Sequence, residues 1–286
     1  MPHSPPQVIR SIAELRQVIT AARRAGQRIG VVPTMGALHP GHLSLVAAAE
    51  RECDLVVVTI FVNPTQFGPH EDFQKYPRTL DRDLALMSAH RVDVVFTPAV
   101  EDMYPPGAAT MIEVAGAAEP WEGACRPGHF RGVATIVLKL FNLTQPDVAY
   151  FGRKDLQQTL VVRQMVRDLD VPVEVRVCPT IREADGLAMS SRNAYLSADD
   201  RRAALVLSRA LFHGAELVRG GEHDARRVLA AMHKLIAGEP RVKLEYLAIV
   251  DPVTMAEVGQ IDSLAYAIVA ARVGTTRLID NEPLGG

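Results

Sequence analysis

The sequence is poor in the features that mark several large protein classes. Its three cysteines, Cys53, Cys125 and Cys178, form no C-x-x-C pair, which argues against a zinc ribbon or a thioredoxin-like redox motif. Widely separated, odd-numbered thiols predict free cysteines in a reducing compartment, and hence a cytoplasmic protein. No apolar run reaches the roughly 20 residues that a membrane span needs; the run over 133–143 is broken by Lys139 and Asn142. The opening Met1-Pro2-His3-Ser4-Pro5-Pro6 lacks a charged region followed by an apolar stretch, so no secretory signal is expected. Neither charge dominates: 31 Lys and Arg face 33 Asp and Glu, a net charge of −2, which gives no electrostatic case for nucleic acid. The Walker pattern, the G-x-G-x-x-G fingerprint and the G-x-S-x-G nucleophile elbow are all missing. P-loop, dinucleotide and acyl-enzyme chemistry are therefore unsupported.

What is present is apolar enough to build a core: 48% of 286 residues are hydrophobic, consistent with one large domain or two smaller ones. Ser11-Ile12-Ala13-Glu14 reads as a capping box opening a helix that stops at Gly26. Short apolar strands are expected at 29–33, 55–61, 92–96, 148–151 and 173–178, with helices at 42–50, 81–90, 130–142 and 155–168. The β-branched run Leu55-Val56-Val57-Val58-Thr59-Ile60-Phe61 is apolar on both faces, as in the middle of a parallel sheet. This alternation predicts an α/β fold: a Rossmann-like open parallel sheet of about five strands with helices on both faces. The stretch 101–127 is punctuated by prolines and glycines, with an edge strand expected at 111–114. After Asn193 the pattern changes to two helices, 198–219 and 225–237, followed by strands at 243–250, 265–271 and 275–279. That order predicts a smaller C-terminal α+β domain with a mostly antiparallel sheet. The expected division is 1–184 for a nucleotide-binding domain and 185–286 for the smaller one covering the active site.

Four segments carry chemistry, each following or close to the end of an expected strand, the edge at which open α/β sheets bind ligands. The first is Met35-Gly36-Ala37-Leu38-His39-Pro40-Gly41-His42. Its glycines permit close backbone approach, the helix start offers N–H groups and a positive dipole end, and two imidazoles add donors whose charge can change near neutral pH. This suits nucleotide phosphates. The second is Asn63-Pro64-Thr65-Gln66: Asn63 fits either a ligand or its own loop, and Gln66 can grip hydroxyl or carboxylate oxygens. The third is Gly152-Arg153-Lys154-Asp155-Leu156-Gln157-Gln158. A cation at a helix start opposes the dipole, which suggests a job such as neutralising phosphate, although on the residues alone a solvated Arg-Lys-Asp turn is the better reading of Lys154. Asp155 suits a helix cap or a ribose, and Gln158, one turn on, can face the same cleft. The fourth is Met189-Ser190-Ser191-Arg192-Asn193, whose hydroxyls and guanidinium can clamp phosphate oxygens.

In this order and at these intervals, and with Tyr76-Pro77-Arg78-Thr79, Arg126 to Gly132 and Lys139-Leu140-Phe141-Asn142 between them, the segments resemble the pantothenate synthetase (pantoate–β-alanine ligase) family. The first segment alone resembles the wider His-x-Gly-His nucleotidyltransferase superfamily. The resemblance implies an ATP-dependent, AMP-forming ligase that joins pantoate to β-alanine through pantoyl adenylate. It also implies Mg2+ accompanying ATP, and a homodimer. It assigns catalysis to His39, His42, Lys154 and Arg192. ATP binding falls to residues 35–42, Gly152, Arg153, Lys154, Asp155, Ile181, Met189, Ser190, Ser191 and Arg192. Pantoate goes to Gln66 and Gln158, with β-alanine also at Gln66. Pro40 and Ile181 stand where relatives often carry other residues; Pro40 stiffens the turn without moving the imidazoles. Asp81 and Asp83 are candidate magnesium ligands, or else charges favoured by a helix dipole. Residues 68–77 form a candidate lid, and Arg126, His129 and Arg131 are a cationic cluster without an assigned role. Alternatives are a cytidylyl- or adenylyltransferase on the same fold, or an inactive nucleotide-binding regulator.

Overall fold

The computed structural model describes residues 5–69 and 71–285. Residues 1–4 of the opening stretch and His70 of the candidate lid lie outside them. The chain forms two compact units: one runs up to Gly152 and resumes over Gln158–Pro179, the other combines Arg153–Gln157 with the chain from Thr180 onward.

The first unit contains, in chain order, β1 (Gln7–Ile9), α1 (Ile12–Arg24), β2 (Ile29–Thr34), α2 (Pro40–Glu52), β3 (Leu55–Ile60), α3 (Leu80–Met87), β4 (Val94–Phe96), α4 (Val100–Met103), α5 (Glu122–Cys125), α6 (His129–Thr144) and β5 (Val148–Gly152). It ends with most of α7 (Leu156–Asp168), and with β6 (Glu174–Cys178). The strands form one sheet in the order β1-β4-β3-β2-β5-β6, with every pair parallel. Strand order runs outward from β2 in one direction and from β5 in the other, so the topological switch point lies between them, where Gly30 and Val31 of β2 pair with Val148 and Ala149 of β5. Doubly wound sheets bind ligands at the carboxyl edge of that switch point. Both β2 and β3 are buried almost throughout, because βαβ crossovers cover both faces. One core lies between the sheet and α1, α6 and α7; a second lies on the other face beneath α2 and α3.

The sheet has six strands rather than about five. The additional one, β1, pairs with β4 at the edge; at three residues after two prolines it has too short a pattern to read. The expected edge strand at 111–114 is absent. Those residues are extended without a ladder, and the Ile112 N–H donates instead to Thr135 Oγ1 at 2.9 Å. Half of the expected capping box of α1 is present: Ser11 Oγ accepts from the Glu14 N–H at 3.2 Å, while the Glu14 carboxylate accepts from Gln7 Nε2 at 3.1 Å.

The second unit holds α8 (Ala198–Arg219), α9 (Ala225–Ala237), β7 (Val242–Val250), β8 (Ala265–Val273) and β9 (Thr276–Leu284). The three strands make an antiparallel sheet in sequence order, and α8 and α9 bury Leu207, Leu211, Val228 and Met232 against its inner face. Ser197 caps α8 by accepting from the Asp200 N–H at 3.1 Å. β9 runs to Leu284, five residues past the expected end at 279, because its residues keep pairing with β8 to Ala265.

One close approach in the first unit bears on the site. A Cβ on Gly132 of α6 would stand 2.4 Å from the Thr65 carbonyl oxygen and 2.7 Å from Gln66 Cα. The helix therefore touches the 64–66 turn backbone to backbone. Gly132→Ala is expected to destabilise the protein by about 1–3 kcal/mol through overpacking. Gly259→Ala, with nothing within 4 Å of the added carbon, should stay within about 0.5 kcal/mol. Urea midpoints of the two variants check this, and equal midpoints would contradict the contact.

Candidate active site

The loop between β2 and α2 is held by an unusual helix cap. His39 is the N-cap residue and its Nδ1 accepts from the Gly41 N–H at 3.1 Å. His42, at the third helical position, returns the contact: its Nδ1 accepts from the His39 N–H at 3.3 Å. Two imidazoles thus replace the Ser/Thr and Glu of an ordinary capping box, with ring centroids 4.1 Å apart. The bonds assign the tautomer. A nitrogen that accepts carries no proton, so in this cap each neutral ring bears its proton on Nε2. The imidazoles, expected for their changeable charge, are presented by the cap as neutral Nε2–H donors. Pro40 occupies the first helical position, where its missing N–H costs nothing.

The preceding residues follow a backbone path that Asp83 stabilises. Gly36 and Ala37 both have positive φ, +80° and +51°, and a side chain on Gly36 would crowd Ile60 and Asp83 at 3.0 and 3.1 Å. The fully buried carboxylate of Asp83, on α3, accepts from the Ala37 N–H at 3.0 Å and the Leu38 N–H at 2.8 Å. Thr79 Oγ1 donates to it as well, at 3.2 Å. Hydrogen bonds to a charged acceptor are worth more than neutral ones, and these offset the cost of a left-handed alanine. Asp83 therefore does not fit the expected role of magnesium ligand, since both its oxygens serve the loop, while Asp81 is exposed in the first turn of α3. Among the described residues no group of three or more His, Cys, Asp or Glu side chains could hold a metal ion.

Gln66 lies beside this loop. Its Nε2 donates to Met35 Sδ at 3.2 Å, and its Oε1 accepts from Asn63 Nδ2 at 3.0 Å. Asn63 is 1% exposed and spends its amide locally: Nδ2 also donates to the Gly132 carbonyl, and Oδ1 accepts from the Thr65 and Tyr104 hydroxyls at 3.0 and 2.8 Å. The Asn63 amide is engaged by its own loop and, beyond it, by Gly132 of α6 and Tyr104. The Gln66 main chain is fixed from behind, where its carbonyl lies 2.8 Å from His129 Nδ1 and His129 Nε2 lies 3.0 Å from Arg126 Nη1. An always-protonated guanidinium can only donate, so Nε2 accepts and Nδ1–H donates to the carbonyl. Arg126 also binds both oxygens of Glu71, at 2.8 and 2.6 Å. Burial raises the Glu71 carboxyl, but Arg126 outweighs it and the net shift is downward. Two members of the cationic cluster noted in the sequence, Arg126 and His129, thus tie the chain at the junction of α5 and α6 to Gln66 and Glu71; Glu71 lies 55 residues from Arg126, beyond any local pattern.

A cavity of about 300 Å³ opens at the same sheet edge, walled by Met35, Gly36, Phe61, Phe73, Arg78 and Val100 among others. Neither Gln66 nor Gln158 lines it. Gln158 is half-buried in the first turn of α7.

Gly152 closes β5 in the first unit, and the second unit holds Arg153, Lys154, Asp155, Ile181 and residues 189–192. Lys154 is largely buried, with Nζ 3.5 Å from Asp155 Oδ1. The Met189 N–H donates to the Ile181 carbonyl at 3.0 Å, joining two expected ATP segments. Ser190 caps the turn Ser191–Tyr195, its Oγ accepting from the Arg192 N–H at 3.3 Å. Asn193 closes the turn from inside, donating to Glu183 Oε1 at 2.7 Å and the Ala188 carbonyl at 3.1 Å.

His129 gives the first unit a pH dependence. Burial, then the Arg126 charge, lowers its pKa from 6.5 to about 4. Between those values the unfolded chain binds a proton that the folded chain does not. Stability is therefore full above 6.5 and falls as pH drops through the interval. Wild type is expected to lose about 3 kcal/mol more than a His129→Asn variant between pH 6.5 and pH 4. Parallel urea midpoints for the two proteins across that range would refute it.

The chain is similar to known proteins along nearly its whole length. The pantoate-beta-alanine ligase family model matches residues 7–283. A pantothenate synthetase of Acidobacterium capsulatum is 60% identical over 257 residues, which are 90% of this chain and 86% of that protein. The crystal structure of pantothenate synthetase from Thermus thermophilus superposes with a TM-score of 0.94 at 49% identity, covering 98% of this chain and 100% of that one. The pantoate-beta-alanine ligase of Francisella tularensis, solved with beta-gamma ATP and beta-alanine, has a TM-score of 0.78 at 35% identity over 97% of each chain. Matches of this extent take in the residues of both units, and the chain belongs to the pantoate–β-alanine ligase family.

Proposed function

We propose that the protein condenses pantoate with β-alanine at the expense of ATP. A pantoate carboxylate oxygen attacks the α-phosphorus, the bond from that phosphorus to the bridging oxygen breaks, and pyrophosphate leaves. The β-alanine nitrogen then attacks the acyl carbon of pantoyl adenylate. The bond from that carbon to the phosphate oxygen breaks, the nitrogen gives up a proton, and pantothenate and AMP are formed.

The observation that carries this reading is the double histidine cap at the carboxyl edge of β2. A carboxylate must approach a polyanion, so neutralisation and placement supply most of the catalysis. His39 and His42 offer Nε2–H groups held in place by their own Nδ1 bonds, beside the N-terminal N–H groups of α2. We assign them to phosphate oxygens that gain charge in the transition state, with Met35 to Gly41 and Gly152 forming the nucleotide's bed. Lys154, Ser190, Ser191 and Arg192 are assigned to triphosphate oxygens, with Arg153, Asp155, Ile181 and Met189 supporting the nucleotide. The Ser190 oxygen already accepts from the Arg192 N–H, so the hydroxyl proton is what it offers a ligand. Gln66 and Gln158 bind pantoate, and Gln66 also meets β-alanine. Magnesium would enter as the counter-ion of ATP, since the Asp81 and Asp83 pair does not fit a protein-held ion. The free cysteines fit a reducing compartment, so we place the activity in the cytoplasm, in a homodimer as the family resemblance implies.

The direct test is AMP release from ATP that requires both pantoate and β-alanine; release with either substrate left out would contradict the reaction. His42→Ala should slow pyrophosphate formation by about 10²- to 10³-fold, while loss of its cap bond costs about 1 kcal/mol in stability. Wild-type pyrophosphate formation by that variant would remove the assignment. Gln158→Ala should raise KM for pantoate more than KM for ATP, and an equal rise in both would count against a pantoate contact.

A further inference from the structure

Three of the segments assigned to ATP in the second unit meet one strand. β9 carries Asp280-Asn281-Glu282, and the first two are 5% and 3% exposed. Asn281 Nδ2 donates to the carbonyls of both Arg153 and Lys154, at 2.9 and 2.8 Å. Two carbonyl acceptors on one nitrogen assign the amide orientation, since a flipped amide would set its oxygen against them. Arg182, next to Ile181, binds the same tripeptide. Its guanidinium donates to both oxygens of Asp280 at 2.6 and 3.1 Å, to the Asn281 carbonyl at 3.2 Å and to Glu282 Oε2 at 3.0 Å. It also lies 4.7 Å from the centre of the Phe212 ring. Asp280 Oδ1 accepts from the Asn281 N–H at 2.8 Å, which squares the bracket. Ile181 in turn is bonded to Met189. The Lys154 turn, the Ile181 segment and, through it, the Met189 turn are thus all referred to one rigid strand.

Stability alone is a poor reason for this asparagine. Its Oδ1 is buried and accepts from no group among the described residues, an uncompensated cost in a folded protein. An apolar residue of similar size would avoid that cost, but would release the two carbonyls.

We propose that Asn281 is a positioning residue for Lys154: its amide fixes the Arg153–Lys154 backbone so that the ammonium group is presented to the ATP phosphates. The proposal rests on the assignment of Lys154 to the triphosphate. Asp280 and Glu282 hold Asn281 in place through Arg182. Misplacement of a charged group by an ångström is enough to cost orders of magnitude in rate, so a residue that touches no substrate can control how ATP is used.

The test is a double-mutant cycle on the full-length protein. Asn281→Leu, Lys154→Ala and the double variant are compared by kcat and KM for ATP and for pantoate in AMP release, and by thermal midpoint. Asn281→Leu is expected to lower kcat/KM for ATP by about 10- to 100-fold with KM for pantoate unchanged. In the Lys154→Ala background it should have little further effect, because the group it positions is gone. Independent, multiplying effects would show that Asn281 acts on the fold at large and would overturn the proposal, as would wild-type kinetics for Asn281→Leu. Lys154→Ala with wild-type ATP kinetics would overturn the Lys154 assignment itself, a separate failure. Should the leucine variant not fold, Asn281→Asp serves: its carboxylate faces two carbonyls, and protonation restores one donor. Its activity relative to wild type should recover as pH falls, and a ratio independent of pH would count against the proposal.

Discussion

The buried carboxylate of Asp83 is the interaction on which the rest of the first unit's site depends. Gly36 accepts its positive φ readily, but the left-handed alanine that follows opposes the path. Two N–H groups converging on a charged acceptor in a dry setting supply the compensation. With that path fixed, the chain enters α2 at the angle that lets His39 and His42 cap the helix reciprocally. The paired imidazoles are thus the outcome of a chain of constraints that starts one layer away, on α3.

Much of the fold was legible because parallel strands and amphipathic helices leave strong patterns. The run Leu55-Val56-Val57-Val58 could only be an inner strand, and Ser11 and Ser197 mark helix starts that the structure reproduces. What escaped was short or non-local. β1 gains its order from pairing with β4, and the extended segment at 111–114 lacks a strand partner. The signature turn, Gln66 and the Gly152-Arg153-Lys154 turn were visible as residue types at strand ends. The groups that hold them were not: Asp83 lies 45 residues from Leu38, Glu71 lies 55 from Arg126, and Asn281 lies 127 from Lys154. Each support is an ordinary polar residue within a helix, loop or strand, and only the folded chain shows which loop it serves. Asp83 is the instructive case. An acid in a first helical turn has a satisfactory local explanation in the dipole, and that explanation hid its longer-range one.

The two units solve the same problem with different materials. In the first, a parallel sheet delivers loops to one edge, and buried side chains from neighbouring elements (Asp83, Asn63, His129) tie them down. In the second, an antiparallel strand does the tying itself, offering backbone, carboxylate and amide groups from three successive residues. A strand paired along its length to β8 is among the stiffest supports a small α+β unit can offer.

The double histidine cap has a consequence for how such a protein can change. Active sites commonly sacrifice robustness for chemistry, so disarming a catalytic side chain often makes an enzyme hardier. Here the same rings that we assign to the phosphates also close the first turn of α2. On that assignment, losing either imidazole removes a helix-terminal bond along with a phosphate ligand, so inactivation at this position is not expected to yield a hardier fold. Drift toward a sturdier fold must begin elsewhere in the molecule, and that ties the persistence of the two histidines to folding as well as to turnover.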